Sequence, residues 1–108
     1  MLERFVRLLQ AELGAGPRAV WLYGSRARGE PPKPDSDVDL LVVSTRARSD
    51  DDLRIIELLI EAAEAEGVNP ALFSAKLFDP ERVAERRNIR SFFMQEVDRD
   101  KIVLFGER

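Results

Sequence analysis

From Leu2 to Leu13 the residues Leu2, Phe5, Val6, Leu9 and Leu13 recur at helical spacing, with Glu3, Arg4, Arg7 and Glu12 on the opposite side. That pattern predicts an amphipathic helix with one buried face. Gly14, Gly16 and Pro17 end it, because glycine and proline punctuate helices. The periodicity then disappears. Ala19-Val20-Trp21-Leu22-Tyr23 is apolar at every position, the signature of a short strand covered on both faces, and Gly24 stops it. Pro31, Pro32 and Pro34 exclude a long helix from the next stretch, which leaves room for a single helical turn over Ser25 to Arg28. A second doubly covered strand is expected from Asp37 to Val43.

Ser49 is placed to cap a long helix, with Asp50, Asp51 and Asp52 at the positive end of its dipole. Leu53, Ile56, Ile60 and Ala63 form its expected apolar stripe, Arg54, Glu57, Glu61 and Glu64 face water, and Gly67 terminates it. Residues 68–75 read as a weaker third strand, with Pro70 near its start marking an edge or an irregular entry. Asp79-Pro80 is a helix start, and the last helix carries Val83, Ile89, Phe92, Phe93 and Val97. Ile102 to Phe105 is expected to add a closing strand. The order is αβ(α)βαβαβ, a single layered α/β domain spanning residues 1–108 without repeats. Trp21, Tyr23, Phe92 and Phe93 are expected in the core.

Composition narrows the chemistry. The 108 residues are 44% hydrophobic and 34% charged, which describes an ordered chain with one core. There is no cysteine and no histidine. Thiolate sites, disulfides and the usual neutral-pH base are therefore absent, and carboxylates remain as metal ligands, suited to magnesium, manganese or calcium. The charged amino terminus is unlike a secretory signal, and no apolar run is long enough to span a bilayer, so an intracellular, cytoplasmic protein without membrane contact is expected. A net charge of −3 argues against broad nucleic-acid binding. Arg82, Arg86 and Arg90 nevertheless recur every four residues. Pairing with Glu81 and Glu85 on a solvated face explains them; a partner or nucleic-acid surface is the alternative.

The densest chemistry lies in GSRARGEPPKPDSDVDLLV, residues 24–42. In an extended strand Asp37 and Asp39 project to one face, about 6.6 Å apart along the backbone. Two adjacent carboxylates repel unless positive charge lies between them, and a divalent ion supplies it. The pair therefore reads as a magnesium clamp, against the plainer reading of a solvated strand end with an aspartate turn at Asp35 and Ser36. Upstream, Gly24 and Ser25 follow a buried strand at a helical start, where backbone N–H groups suit phosphate oxygens; Arg28 is placed to hold a phosphate too. Gly24 to Gly29 is not a P-loop, since Glu30 and Pro31 stand where Lys and Ser or Thr are required. The aspartates do not open a calcium loop, because Leu40 replaces its glycine and Arg46 its closing Glu.

A glycine-serine turn after one strand and Asp-x-Asp on the next resembles the minimal nucleotidyltransferases of the DNA polymerase beta-like superfamily. The resemblance runs over the whole chain and is most specific over residues 22–43. It implies a nucleotidyltransferase fold of the α+β kind, a short mixed β-sheet flanked by helices. It further implies that Gly24, Ser25 and Arg28 bind the nucleotide, expected to be ATP, and that Asp37 and Asp39 hold Mg2+ (or Mn2+) and serve catalysis. A nucleoside monophosphate would pass to a hydroxyl of a macromolecular acceptor. Short members of this family are often partnered by a small helical protein of the HEPN type, as antitoxins. Two departures stand out. Arg26 to Ser36 make the spacer eleven residues, slightly longer than usual. The third carboxylate expected on the following strand is also missing from GVNPALFSAKLF. The second departure opens a competing reading, an inactive module that binds nucleotide or covers a toxin. A nucleic-acid-binding regulator is a third.

Overall fold

The computed structural model describes residues 1–30 and 38–108. Helix α1 (Leu2–Leu13) leads into strand β1 (Pro17–Tyr23), and β2 (Val38–Ser44) is followed by helix α2 (Ser49–Ala65). A short 3-10 turn (Pro70–Leu72) introduces β3 (Phe73–Phe78); helices α3 (Pro80–Asn88) and α4 (Phe92–Asp100) precede β4 (Ile102–Gly106). The sheet order is β3-β2-β1-β4, with β1 antiparallel to β2 and β4, and β2 parallel to β3. This is the mixed sheet expected of the α+β nucleotidyltransferase fold.

The continuous apolar runs of β1 and β2 follow from burial on both faces. Val20, Leu40 and Val42 point to one side, where they pack with Phe5, Leu9 and Leu13 of α1 and with Ile55, Leu58, Leu59 and Ala62 of α2. Ala19, Trp21, Leu41 and Val43 point to the other and meet Val83 of α3 with Met94 and Val97 of α4. The pleat divides each strand between two cores. The Trp21 indole N–H donates to the Glu107 carbonyl at 2.7 Å.

Four expectations change. The third strand lies later than residues 68–75, because Asn69 accepts a hydrogen bond from the Ala71 N–H and Pro70 opens a 3-10 turn. Helix α2 begins at Ser49, with Arg48 in the cap position and its N–H donating to Asp51 Oδ2 at 3.0 Å. Its buried stripe is Ile55, Leu58, Leu59, Ala62 and Ala63, whereas Leu53, Ile56 and Ile60 are exposed. Two apolar sets compete along that helix, and the one at i, i+3, i+4, i+7 faces the sheet. The last helix is two: Arg90 takes a left-handed φ of 52°, and the Ser91 hydroxyl caps α4 by accepting from the Met94 N–H at 3.2 Å. That break turns Phe92 outward, 76% exposed, and Ile89 with it, while Phe93 packs inward. The expected start of α3 holds, since Asp79 Oδ1 accepts from the Arg82 N–H at 2.6 Å. Among the described residues no helix is long and apolar enough to cross a membrane.

Candidate active site

The glycine-serine segment closes into one helical turn. The Arg28 N–H donates to the Gly24 carbonyl at 3.2 Å, Gly29 to Arg26 at 3.2 Å and Glu30 to Ser25 at 3.0 Å. A helical turn leaves its leading amides without a carbonyl behind them. Those of Ser25, Arg26 and Ala27 make no backbone hydrogen bond among the described residues. Gly24 has a φ of 76°, a conformation that costs glycine nothing and other residues a steric clash.

Asp39 meets this turn directly. It lies opposite Tyr23 in the β1–β2 register. A Cβ added to Gly24 would sit 2.6 Å from Asp39 Oδ2, so the carboxylate packs into space that any other residue at position 24 would fill. Beside it, burial pushes the Tyr23 phenol up to about 12, and the Asp39 charge pushes in the same direction. The Tyr23 ring is held edge-on by Phe93, with centroids 5.3 Å apart.

The two arginines of the turn behave differently. Arg28 donates to Glu30 Oε1 at 3.1 Å and to Asp100 Oδ2 at 3.4 Å, and those hydrogen bonds raise its pKa, Glu30 contributing most. Asp100 is held below the usual carboxylate range chiefly by Arg99, with Arg28 adding to it. Arg28 thus ties the turn to the end of α4 across 72 residues of sequence. Arg26 instead keeps a buried Nε with no partner among the described residues. Asp100 and Tyr23 were not legible as parts of this neighbourhood. Tyr23 reads as one more apolar strand residue, and no spacing signal connects Asp100 to a turn so far upstream.

On the neighbouring strand, Ser74 stands in register with Asp39 and Lys76 with Leu41. The face that carries Asp39 therefore continues onto β3 with a hydroxyl and an ammonium, and β3 holds no acid, as its sequence indicates. Asp37, with Asp35, Ser36 and the proline stretch, lies outside the described residues. Among the described residues no three metal-ligating side chains cluster. Of the predicted site, then, Gly24, Ser25 and Asp39 come together, and Arg28 belongs to the same turn but is engaged by carboxylates. An oxygen ligand with room cleared against it by a glycine, beside leading amides and a guanidinium N–H without a partner among the described residues, suits a divalent cation bound with an anionic ligand.

The sequence matches the family model described as "Polymerase beta, Nucleotidyltransferase" over residues 8–108. No curated protein matches significantly. Among solved structures, the fold is shared with a crystal structure of a mutant MntA-HpeT toxin-antitoxin at TM-score 0.58 and 20% identity, covering 100% of this chain and 74% of that chain. It is shared equally with a toxin-antitoxin solved with AMP-PNP, at TM-score 0.57 and 20% identity, covering 100% of this chain and 76% of that chain. With the family model spanning nearly the whole sequence and the Gly24–Asp39 contact in place, the chain belongs to the polymerase beta nucleotidyltransferase family.

Proposed function

We propose that the chain transfers a nucleoside monophosphate, AMP from ATP, to a hydroxyl of a macromolecular acceptor, as the nucleotidyltransferase half of a toxin–antitoxin pair with a helical HEPN-type partner. The observation that carries this reading is the close approach of the Asp39 carboxylate to Gly24, where a Cβ would lie 2.6 Å from Oδ2. It holds a carboxylate, the metal ligand of this reading, against a turn whose leading amides make no backbone hydrogen bond among the described residues. The toxin-antitoxin with AMP-PNP shares the fold, which supports both the nucleotide and the kind of partner. A cytoplasmic location fits that role.

In this reading the amides of Ser25, Arg26 and Ala27 and the Ser25 hydroxyl grip triphosphate oxygens, and Arg26 gains the partner its Nε lacks. Asp39, with Asp37, would hold Mg2+ or Mn2+, which when bound neutralises charge on the phosphates. The acceptor oxygen forms a bond to the α-phosphorus while the α–β bridging P–O bond breaks. That electron pair leaves with pyrophosphate, and the hydroxyl proton passes to solvent. Positioning supplies most of the acceleration in such a reaction.

One observation favours a second reading. The strand beside Asp39 offers Ser74 and Lys76 where a third carboxylate is expected, which fits a module that binds nucleotide or partner without turnover. Incubation with α-labelled ATP, magnesium and the co-encoded partner separates the two. Label on the partner, lost in Asp39→Asn, supports transfer. An unlabelled complex that survives Asp39→Asn supports the binding module and overturns the enzyme.

A further inference from the structure

A cleft of about 450 Å³ opens between β3 and the α3–α4 pair. Lys76, Arg82 and Arg86 line it, with Ser91 and Phe93, and Asp52 is the one carboxylate among the described lining residues. Among the described residues none of the three cations makes a salt bridge, although Glu81 and Glu85 lie on the same helix as two of them. The expected pairing of the α3 arginines with those glutamates is therefore absent. Instead the side chains lie along aromatic surface: Lys76 Nζ is 4.8 Å from the Phe93 centroid and Arg82 Cζ 4.1 Å from that of Phe78. In a chain of net charge −3, three cations without a salt bridge among the described residues thus meet in one concave place.

That place borders the candidate active site. Lys76 lies on the sheet face that carries Asp39, one strand across and two residues along, which puts their Cα atoms roughly 8 Å apart by strand geometry. Phe93 contacts both Tyr23, the register partner of Asp39, and Phe78 of the cleft wall. We propose that this cleft is the acceptor side of the site and that it receives a phosphoryl group carried by the acceptor. The inference rests on the nucleotidyl-transfer reading for the word acceptor; the anion site itself stands on three cations that make no salt bridge among the described residues. Two guanidinium forks and an ammonium match the several oxygens of a phosphoryl group, and the volume suits one nucleotide-sized moiety. The lysine on a strand that lacks the expected acid then has a use. It attracts an anionic acceptor that a third carboxylate would repel.

Inorganic phosphate and AMP, titrated separately into metal-free protein, test this through the arginine side-chain resonances in nuclear magnetic resonance spectra. Saturable shifts at Arg82 and Arg86 are expected, with affinity at least tenfold weaker in Arg86→Gln and retained in Asp39→Asn. Lys76→Gln, at an exposed position, gives the same comparison if Arg86→Gln melts at a lower temperature. Tighter binding of AMP than of phosphate means the nucleoside is seated too, and equal binding means the phosphoryl group suffices; both support the site. No saturable shift, indifference to both cleft variants, or loss in Asp39→Asn overturns it. Displacement of phosphate by a glutamate-rich peptide of higher affinity also overturns it, in favour of a protein contact. Because the titration needs neither ATP nor turnover, it can succeed where the transfer assay fails, and the reverse.

Discussion

Replacing Gly24 by alanine tests the contact on which the site depends. Two penalties add. A residue with a Cβ at a φ of 76° costs about 1–2 kcal/mol. The new Cβ also lies 2.6 Å from Asp39 Oδ2, and the carboxylate must swing aside at about 0.5–1.5 kcal/mol for leaving its rotamer. The expected loss is about 2–3 kcal/mol, which lowers the urea midpoint by about 1 M for a domain of this size. The effect on transfer should exceed what stability explains, because displacing a positioned group by about 1 Å can cost about 100-fold. The double variant Gly24→Ala/Asp39→Gly removes the clash and leaves the backbone strain. It should recover about 1 kcal/mol relative to additivity but none of the activity. Unfolding of Gly24→Ala within about 0.5 kcal/mol of the native chain, or label transfer at the native rate, would refute a site built on this contact.

Further outcomes concern the groups around that contact and the edges of the fold. Tyr23 is the sole tyrosine, so its ultraviolet difference absorbance during alkaline titration reports one group. A midpoint of about 12 is expected, moving down in Asp39→Asn because one of its two causes is removed. Since the folded-state value is raised, this group's contribution to stability is complete below the ordinary tyrosine range near ~10 and is lost as pH climbs through the folded value. Asp79→Ala removes the acceptor for the Arg82 N–H and should cost about 1 kcal/mol in urea unfolding. Gly106 has a φ of 76°, and its Cβ position is occupied by the Arg18 backbone carbonyl. Gly106→Ala should therefore cost about 3 kcal/mol or more and release β4, with faster hydrogen exchange there than at β2.

Much of this arrangement was legible because it rests on local rules. Five apolar residues at helical spacing gave α1, and two unbroken apolar runs gave the interior strands, since burial on both faces erases alternation. Asp79-Pro80 announced α3 for the same local reason. Elsewhere local rules conflicted. Helix α2 carries apolar residues on more than one face, and only docking on the sheet decides that Ile55 and Leu59 are inside while Leu53, 62% exposed, is not. The α3–α4 break hangs on a left-handed Arg90, a residue type with no preference for that conformation. A serine cap downstream was the available signal. At the site, Gly24, Ser25 and Asp39 share one motif and could be read from it. Asp100 reaches Arg28 from the far end of the chain, and the cleft cations converge from β3 and α3. Such meetings depend on topology and leave no mark in spacing.

The strand order has a consequence for how this molecule can yield. Both strands that bring Asp39 to the glycine-serine turn are hydrogen-bonded on two sides, whereas β3 and β4 form the margins of the sheet. Parting β1 from β2 breaks the most protected ladder, so fraying should begin at the borders and reach the reacting atoms last. The margin beside the cleft is then free to flex around an incoming molecule while the centre keeps its alignment.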